Sequence, residues 1–577
     1  MKLKKVTIGL AALLVAGSFA GCVEYAPEEK TTISYLYIDT YSGGLGEEFL
    51  KELEKEFESR YAETSFADGK TGVDIVTGYT PDMLGATLNS KIKTSTHDIF
   101  ISEGLYYADF MADETLYDLT EIVKAENGAI ENKLYDDQKT ALTAFDDKYY
   151  ALPTFAGFTG LTFDANLFAE NKLFFAETGG NKPATTSSYT GKAYTGRGFI
   201  EAKADQKSVG PDGKPNTLDD GLPSSYEEFF YLLDYMVDEK SITPLVFTGN
   251  SIHYSNYLFQ ALLSANSTKT ELLSHFTFDS GEEKMKIVES FTNGVPNVKE
   301  VAIDSNTNGY EVKQQYNVYQ ALKFLEKLYT TKNSSGGMKY FYGDLAALSN
   351  TSAQMTYEES YLDASIQDIA MLIEGNYWYN EAMPELKESA QRLPDTATNR
   401  EFSFMPLPAK EEGTVNENEG TSPALADALD YYFVVNNRIK GNTEKEKLTK
   451  EFLQFFYSDW GLQKITETNG VPMALKYEMD SAVLANMDNY PQSVWAIYKQ
   501  AKDANNYVTP MSNNPIYLNN TKKFAIKSTG YFSQSVVNGI TRMTPWEGFT
   551  AKSNVATAQS YFEGMKITAS TWADYLG

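Results

Sequence analysis

The stretch at 145–168, FDDKYYALPTFAGFTGLTFDANLF, constrains the fold of this chain more than any other. One short apolar run ends at Pro153, a second covers 161–163, and a small-residue segment with Gly157 and Gly160 separates them. A strand, a proline and glycine interruption and a second strand predict a crossing, where the backbone leaves one sheet and enters another. We therefore expect a hinge between two lobes here, with a ligand cleft beside it.

The length and composition of the chain predict a large globular protein. Its 577 residues are too many for one ordinary core and indicate two to four domains. Hydrophobic residues make up 42% and aromatic residues 14%, which argues against global disorder. The formal net charge of −28 argues against nucleic-acid binding, which needs a basic surface.

Residues 1–21 have the pattern of a signal peptide. Three lysines near the N-terminus precede an apolar run at 6–19, which is too short to span a bilayer comfortably. The segment resembles a bacterial lipoprotein signal, in which a cysteine is lipidated and becomes the new N-terminus. Cys22, the single cysteine of the chain, lies at that place, although Phe19 replaces the usual leucine. The alternative is an ordinary secretory signal with Cys22 incidental.

Alternating apolar patterns predict an α/β fold. Strand-like runs at 33–38, 73–76 and 97–101 are interspersed with helical periodicity, such as the four-residue spacing from Leu45 to Phe57. Further strands are predicted at 242–247, 369–373, 402–408 and 431–435, the third of these as a second crossing. A capping pattern at 224–228 starts another helix, 174–221 is an irregular insertion, and 250–350 is predicted to be mostly helical.

Six segments of the chain stand out in order. They are HDIFISEGLYYADFMADETLYDLTEIV, KYYALPTFAGFTGLTFDANLF, LPSSYEEFFYLLDYM, AMLIEGNYWY, FSFMPLPA and FLQFFYSDWGLQKITETNGVPMAL. By their order and spacing between about residues 33 and 475, they resemble the family 1 extracellular solute-binding proteins of carbohydrate ABC transporters, the group that includes maltose-binding protein. The insertion at 174–221 departs from this resemblance. No later stretch is predicted to cross the membrane.

This resemblance implies a type II periplasmic-binding-protein fold, with two α/β lobes joined by hinge strands around a ligand cleft. After a tether at 22–30, lobe one would hold 31–151 and 408–473. Lobe two would hold 152–405 and 474–577. The implied protein is a monomer, anchored by lipid to the extracytoplasmic face of the bacterial cell membrane. It would capture an oligosaccharide and deliver it to the permease subunits of an ABC importer, without catalysis.

A saccharide site needs aromatic rings for sugar faces and polar groups for hydroxyls, and open α/β sheets bind ligands at the carboxyl ends of strands. Asp39 and Glu103 are alternatively helix-capping or first-turn acids, and Phe155 and Phe158 are alternatively core residues. The predicted ligand-binding residues are Asp39, Tyr41, Glu103, Tyr106, Phe155, Phe158, Asn376, Tyr377, Trp378 and Trp546.

The adjacent aromatic residues Tyr377 and Trp378 are the strongest of these predictions. They directly follow a strand that ends in Gly-Asn, and the family places a stacking aromatic residue here. We therefore expect Tyr377→Ala or Trp378→Ala to weaken binding while leaving the melting temperature of the ligand-free protein nearly unchanged.

The insertion contains an acidic, glycine-bent loop, GPDGKPNTLDDG, at 210–221. Oxygen ligands on such a loop suit calcium, although the spacing does not match an EF-hand. The predicted ligands of a structural calcium ion are Asp212, Asn216, Asp219 and Asp220. The alternative is a polar turn whose acids cap the next helix, and no cofactor is otherwise required.

Two other classes of function stay open from the sequence. One is a surface-anchored glycoside hydrolase, because a catalytic carboxylate pair cannot be recognised or dismissed among 78 acidic residues. The other is a protein of the same fold that binds a non-sugar ligand, such as a peptide or a polyamine.

Overall fold

A computed structural model describes most of the chain. The predicted signal peptide with Cys22, the start of the tether and Tyr106 lie outside the described residues. The described residues are 30–41, 45, 48–80, 85–103, 114–143, 146–201, 206–249, 251–360, 367–392, 400–408, 424–429, 431–512, 514, 516, 532, 535–537, 539–542 and 544–576.

Fifteen strands occur in the described residues. In chain order they are β1 (Ser34–Tyr41), β2 (Val73–Thr80), β3 (Ile99–Glu103), β4 (Ala151–Pro153), β5 (Thr159–Asp164), β6 (Thr243–Val246), β7 (Lys284–Thr292), β8 (Val295–Ala302), β9 (Ile369–Gly375), β10 (Phe402–Met405), β11 (Leu425–Ala426), β12 (Tyr431–Val435), β13 (Tyr507–Val508), β14 (Ser535–Val537) and β15 (Ile540–Arg542).

The same residues contain α-helices and four short 3-10 helices. The α-helices are Glu48–Arg60, Gly85–Thr94, Thr120–Val123, Ala125–Gly128, Asp136–Leu142, Ala165–Asn171, Tyr226–Asp238, Ile252–Ala265, Lys269–Thr277, Tyr316–Thr330, Asn350–Glu359, Trp378–Arg392, Thr443–Phe456, Asp459–Asn469, Ser481–Ala485, Asn489–Asp503, Pro545–Phe549, Ala558–Met565 and Ala569–Leu576. The 3-10 helices are Glu131–Lys133, Gly309–Gln314, Leu345–Ala347 and Asn437–Ile439. Within the described residues, no helix has the length and apolar character needed to cross a membrane.

Two separate mixed sheets form the centres of two lobes. The sheet of lobe one has the strand order β2-β1-β3-β12-β4, with β1 parallel to β2 and β3, and β12 antiparallel to its neighbours. The sheet of lobe two has the order β10-β5-β9-β6, with β6 parallel to β9. The predicted α/β architecture with two lobes is confirmed.

The chain passes between the two sheets where the strand pattern is interrupted. It leaves lobe one after β4 and enters lobe two at β5, so the first crossing comprises 154–158. It returns to lobe one between β10 and β12, in a second crossing whose described parts are 406–408 and 424–429, and it crosses again after helix Asp459–Asn469. The residue-by-residue lobe boundaries given above stay a prediction.

The central strand β9 of lobe two is buried along its whole length and contributes to both apolar clusters. In β9, Ile369 and Leu372 pack in one apolar cluster, whereas Met371 and Ile373 pack in the other. All seven residues of β9 are buried. A strand buried on both faces reads as a continuous apolar run, which is how this one appears in the sequence.

The insertion at 174–221 packs on lobe two, mainly through aromatic rings. The ring of Phe199 stacks on Tyr235 with centroids 4.0 Å apart, and Tyr194 stacks on Tyr231 at 3.7 Å. Ser225 caps helix Tyr226–Asp238 by accepting a hydrogen bond from the backbone N–H of Glu228, as the capping pattern predicts. The insertion therefore contributes core contacts despite having little regular structure.

The prediction that 250–350 is mostly helical is wrong for the hairpin β7–β8. The strands meet at an Asn293-Gly294 turn in which both residues have positive φ, 51° and 80°. Asn-Gly between alternating apolar residues is the strongest short-range signal for a two-residue hairpin. The sequence therefore contained the signal for this hairpin.

Candidate functional site

The carboxyl ends of two parallel strands of lobe two lie next to the first crossing. The last residue of β9, Gly375, pairs with Thr159 at the start of β5. Helices Ile252–Ala265 and Trp378–Arg392 begin a few residues after β6 and β9. This edge of an open α/β sheet is the usual position of a ligand site.

A buried carboxyl group, Glu374, lies at the centre of this edge. Its Oε1 accepts a hydrogen bond from the N–H of Gly375 at 2.8 Å, and its Oε2 accepts one from Nε2 of Gln354 at 3.1 Å. The same Nε2 donates to Oε2 of Glu381 at 3.1 Å. One side-chain amide thus bridges two acids, and no lysine, arginine or histidine of the described residues forms an ion pair with either.

The protonation of Glu374 follows from its surroundings. Burial, and next the negative charge of Glu381, raise the pKa of Glu374 from 4.5 to about 8. Hydrogen bonds from Gly375, Gln354 and Tyr254 partly offset that rise. At neutral pH the group is therefore largely a carboxylic acid, which both donates and accepts hydrogen bonds.

Three tyrosines surround this acid. Tyr254 and Tyr257 lie on helix Ile252–Ala265 with ring centroids 6.0 Å apart in an edge-to-face arrangement. Tyr254 and Tyr377 lie close together, and Nδ2 of Asn350 donates to the Tyr254 hydroxyl at 3.4 Å. Rings, an amide and a neutral carboxyl group are the combination that binds the faces and hydroxyls of a sugar.

A small cavity lies between one of these tyrosines, Tyr257, and the hinge. It measures about 90 Å³, and its lining includes Tyr257, Phe158 and Thr159. Ligand pockets are typically about 300–1,000 Å³. The cavity by itself is therefore too small for an oligosaccharide.

Asn376, predicted to bind ligand, instead contacts the first crossing. Its Oδ1 accepts a hydrogen bond from the N–H of Phe158, and its Nδ2 donates to the carbonyl of Ala156, both at 3.0 Å. The residue is 1% exposed. Its amide therefore stabilises the hinge backbone.

The two predicted hinge phenylalanines are buried. Phe155 packs edge-to-face against Phe49 and Tyr431, with centroids 5.2 and 5.4 Å away. Phe158 packs similarly against Phe404 at 5.9 Å. The structure thus places Phe155 in the core, whereas Phe158 also borders the cavity.

Trp378 is a core residue, which overturns the expectation for its replacement. It is completely buried and packs against Phe402, Tyr490 and Tyr357, with ring centroids 5.3, 6.0 and 5.7 Å away. The helix begins at Trp378 itself, so its side chain turns towards β10 and helix Asn489–Asp503. Tyr377, one residue earlier, is also buried: it is 9% exposed, belongs to the same apolar cluster as Trp378 and lies beside Tyr254. The expectation that Tyr377→Ala leaves the melting temperature nearly unchanged is therefore wrong as well.

The residues of lobe one that were predicted to bind ligand lie within or at the ends of strands β1 and β3. Asp39 lies inside β1, is 2% exposed, and pairs with Nζ of Lys91 at 2.9 Å. Tyr41 is the last residue of β1. Glu103 ends β3 opposite Tyr431 and is partly exposed, so it stays a candidate on the lobe-one edge.

Trp546 packs against the apolar cluster of lobe two, partly buried at the start of helix Pro545–Phe549. No contact between Trp546 and the tyrosine cluster occurs among the described residues. Its predicted role in ligand binding stays a prediction.

The acidic loop of the insertion is closed by its own hydrogen bonds. The N–H of Asp212 donates to Asp219 Oδ2 and that of Asn216 to Asp220 Oδ2, both at 2.8 Å. The Thr217 hydroxyl lies 2.6 Å from Asp219 Oδ1 and 3.1 Å from Asp220 Oδ1. In the described residues, no group of three or more histidine, cysteine or acidic side chains has a metal-binding arrangement. The calcium site stays a prediction.

Sequence reasoning missed Glu374, Tyr254 and Gln354. Glu374 ends an otherwise apolar strand run, and an isolated acid in such a run was a usable signal. Tyr254 and Gln354 lie on helices whose sequence position gives no indication of proximity to β9.

This architecture defines a class. Two α/β lobes, with backbone crossings between their sheets and a polar aromatic edge beside the hinge, make up the type II periplasmic-binding-protein fold. The crystal structure of the cyclic α-maltosyl-1,6-maltose binding protein from Arthrobacter globiformis shares this fold. It aligns with a TM-score of 0.50 at 13% identity, over 94% of this chain and 99% of that one.

Two further solved structures were found in the same comparison. RafE in complex with raffinose aligns with a TM-score of 0.48 at 12% identity, over 92% of this chain and 100% of its own. The GacH receptor of Streptomyces glaucescens aligns with a TM-score of 0.48 at 14% identity, over 93% and 99%. Neither the family models nor the curated protein sequences searched match this sequence.

Burial of Trp378 predicts a loss of stability on truncation. We expect Trp378→Ala to lower the free energy of unfolding of the ligand-free protein by about 3–5 kcal/mol, because it empties a core position. Urea denaturation measures this, with Trp460→Ala, a partly buried position on lobe one, as the smaller control. An unchanged unfolding midpoint for Trp378→Ala would contradict the packing.

The raised pKa of Glu374 predicts a pH-dependent stability. The folded state binds the carboxyl proton of Glu374 more tightly than the unfolded state does. The stabilisation that this proton gives is therefore fully present below pH 4.5 and is lost as pH rises through about 8. Relative to Glu374→Gln, the wild type should lose up to about 1.4 kcal/mol of unfolding free energy per pH unit in that window. Urea denaturation of both proteins at pH 5 to 8 tests this, and parallel pH curves would refute it.

Proposed function

We propose that this chain is an extracytoplasmic substrate-binding protein that captures an oligosaccharide and delivers it to an ABC importer. The observation that carries the proposal is the edge of lobe two, where Tyr254, Tyr257 and Tyr377 surround the neutral carboxyl group of Glu374 beside the hinge. The protein performs no catalysis in this role.

The chemistry of this edge matches the surface of a sugar. Tyrosine rings stack on the C–H faces of a pyranose, while hydroxyl groups need partners that both donate and accept. A protonated Glu374 and the amide of Gln354 provide both functions. A carboxylate with a low pKa would only accept hydrogen bonds.

Fold similarity supports the same class of ligand. The protein from Arthrobacter globiformis that shares the fold is described as binding cyclic α-maltosyl-1,6-maltose. A saccharide built from several hexoses is correspondingly our proposed ligand class, with Glu103 as the described candidate contact on lobe one.

Membrane attachment completes the proposed function. We propose lipidation at Cys22 after removal of residues 1–21, which keeps a monomeric receptor at the outer face of the cell membrane near its permease subunits. The pattern of charged, apolar and small residues before Cys22 supports this attachment.

A second candidate function is the binding of a cationic ligand, such as a polyamine, by a protein of the same fold. It is favoured by the Glu374 and Glu381 carboxyls, which share one amide donor and have no ion-pair partner in the described residues. An ammonium group would pair with both acids and would contact the tyrosine rings by cation–π interaction.

A thermal-shift panel tests the function. Raffinose, maltotetraose, acarbose, cyclic α-maltosyl-1,6-maltose, spermidine and a tripeptide are added separately, and the supernatants are analysed for hydrolysis products. If the protein is a saccharide receptor, its melting temperature rises with the logarithm of the saccharide concentration and no hydrolysis product forms. Stabilisation by spermidine alone would favour the cationic ligand, and product formation would favour the hydrolase.

Replacement of Tyr254 tests the site itself. We expect Tyr254→Ala to weaken binding of the stabilising saccharide about tenfold, the equivalent of about 1.4 kcal/mol, by removing one stacking ring. Tyr379→Ala is the control, because Tyr379 stacks on Tyr490 at 4.8 Å outside the cluster. Isothermal titration calorimetry gives both affinities, and equal losses for the two variants would reject this site.

We also propose a structural calcium ion in the insertion, held by Asp212, Asn216, Asp219 and Asp220. The support for it is the closeness of the acids: side-chain oxygens of Asp212, Asp219 and Asp220 all lie within 3.4 Å of the Thr217 hydroxyl. Calcium at a hundred times its dissociation constant would stabilise the fold by about 2.7 kcal/mol.

Calcium titration measures this effect. The melting temperature should be higher in calcium than in EGTA, and Asp219→Asn should abolish the difference. Magnesium is the control, because it prefers a smaller and more rigid octahedral site. An identical melting temperature in calcium and EGTA would contradict the proposal.

A further inference from the structure

The first crossing is divided between the two lobes at a single residue, Ala156. Its N–H donates to the carbonyl of Pro472 at 2.7 Å, in the segment that follows helix Asp459–Asn469 of lobe one. Its own carbonyl accepts from Nδ2 of Asn376 at 3.0 Å, at the end of β9 in lobe two. The N–H of Ala156 is therefore held from the lobe-one side, and its carbonyl is held by lobe two.

Hydrogen bonds on both sides of Ala156 support that division. On the lobe-one side, Thr154 N–H donates to the carbonyl of Tyr431, the first residue of β12, at 3.0 Å. On the lobe-two side, Phe158 exchanges two hydrogen bonds with Asn376, one with the side chain and one with the backbone, both at 3.0 Å.

Gly157, the next residue, allows the two crossings to touch. Its carbonyl accepts from Ala428 N–H at 2.6 Å and its N–H donates to Asp427 Oδ1 at 3.3 Å. A Cβ at this position would overlap the Leu429 side chain. The backbones of the first and second crossings are thus in direct contact at Gly157.

Asn376 also directly precedes Tyr377 and is two residues from Glu374. Asn376 is 1% exposed, and its backbone N–H and side chain together make three hydrogen bonds with Ala156 and Phe158, so a displacement of the Asn376 backbone also displaces the first crossing. A movement of the proposed saccharide site is in this way passed to the hinge through one residue.

We propose that Asn376 is a positioning residue, which couples the saccharide site to lobe closure without contacting the saccharide. The proposal rests on the proposed function for the identity of the site, whereas the hinge contacts stand independently. By fixing Ala156 and Phe158 to lobe two, Asn376 confines the bending of the first crossing to one position. Without it, bending spreads over several residues and the closed arrangement is less sharply defined.

The distance between the lobes tests this proposal without any ligand. Spin labels are attached at Lys55→Cys, exposed on lobe one, and Glu239→Cys, exposed on lobe two, in a Cys22→Ser background. Because the chain has a single native cysteine, the two labels are unique. Asn376→Ala should broaden the distribution of label distances measured by double electron–electron resonance.

Saccharide release is the second measurement. With cyclic α-maltosyl-1,6-maltose as the probe, Asn376→Ala should raise the dissociation rate about tenfold, because the closed complex opens more readily. If another saccharide of the thermal-shift panel binds more tightly than cyclic α-maltosyl-1,6-maltose, that saccharide is used as the probe.

Asn436→Ala is the matched control. Asn436 is also a buried asparagine, 5% exposed, whose Nδ2 donates to the backbone carbonyl of Ile92 at 2.6 Å within lobe one. Its replacement removes the same kind of hydrogen bond and lowers the melting temperature. It should leave the label distances and the dissociation rate at wild-type values.

Asn376→Asp provides a second variant if the alanine protein fails to fold. It keeps the acceptor for Phe158 but has no donor for Ala156, so an intermediate broadening is expected. Wild-type label distances in Asn376→Asp and Asn376→Ala, or equal broadening in Asn436→Ala, would overturn the proposal. Because these distances are measured without saccharide, a failure of all saccharides to bind would reject the proposed function and leave the hinge result intact.

Discussion

Backbone hydrogen bonds between the crossings hold the two lobes in register. Ala156 bonds to Pro472 and Gly157 to Ala428, so three segments far apart in the chain meet at one place. Backbone pairing of this kind needs no particular side chain, except that Gly157 has no space for a Cβ. The candidate site lies directly against this contact, because β9 ends where the first crossing enters β5. A rearrangement at the site is therefore also a rearrangement at the hinge.

Burial gives the site its chemical character within a strongly acidic chain. The surface charge keeps such a protein soluble and self-repelling. The acidic side chain of Glu374, at the end of β9, differs from the ionised acids of the surface. Its removal from water and the neighbouring Glu381 keep it protonated. A neutral acid among tyrosines suits polar, uncharged ligands. Full ionisation would instead suit a cation, so the protonation of one residue separates the two ligand classes.

Local patterns predicted the architecture well, since the elements that carry it have local causes. The apolar run at 369–373, the interruption after Pro153 and the cap at Ser225 depend only on neighbouring residues, and each element occurs in the structure. The site was predicted less well. Trp378 and Tyr377 both follow the strand end and both are buried, yet Trp378 is completely enclosed by Phe402, Tyr490 and Tyr357, whereas Tyr377 is 9% exposed and lies beside Tyr254. One step along the chain turns a side chain to another direction, and only the packing partners decide which direction is buried.

The sequence by itself determined the two-lobe α/β fold, the place of the first crossing and the presence of an aromatic and polar strand end beside it. Alternation, punctuation by proline and glycine, and capping are local properties, so they can be read from neighbouring residues. Only the tertiary structure decided that Asn376 holds the hinge, that Trp378 is core, and that Tyr254, Gln354 and Glu374 meet. These outcomes depend on contacts between distant segments, whose distances and burial no local pattern encodes.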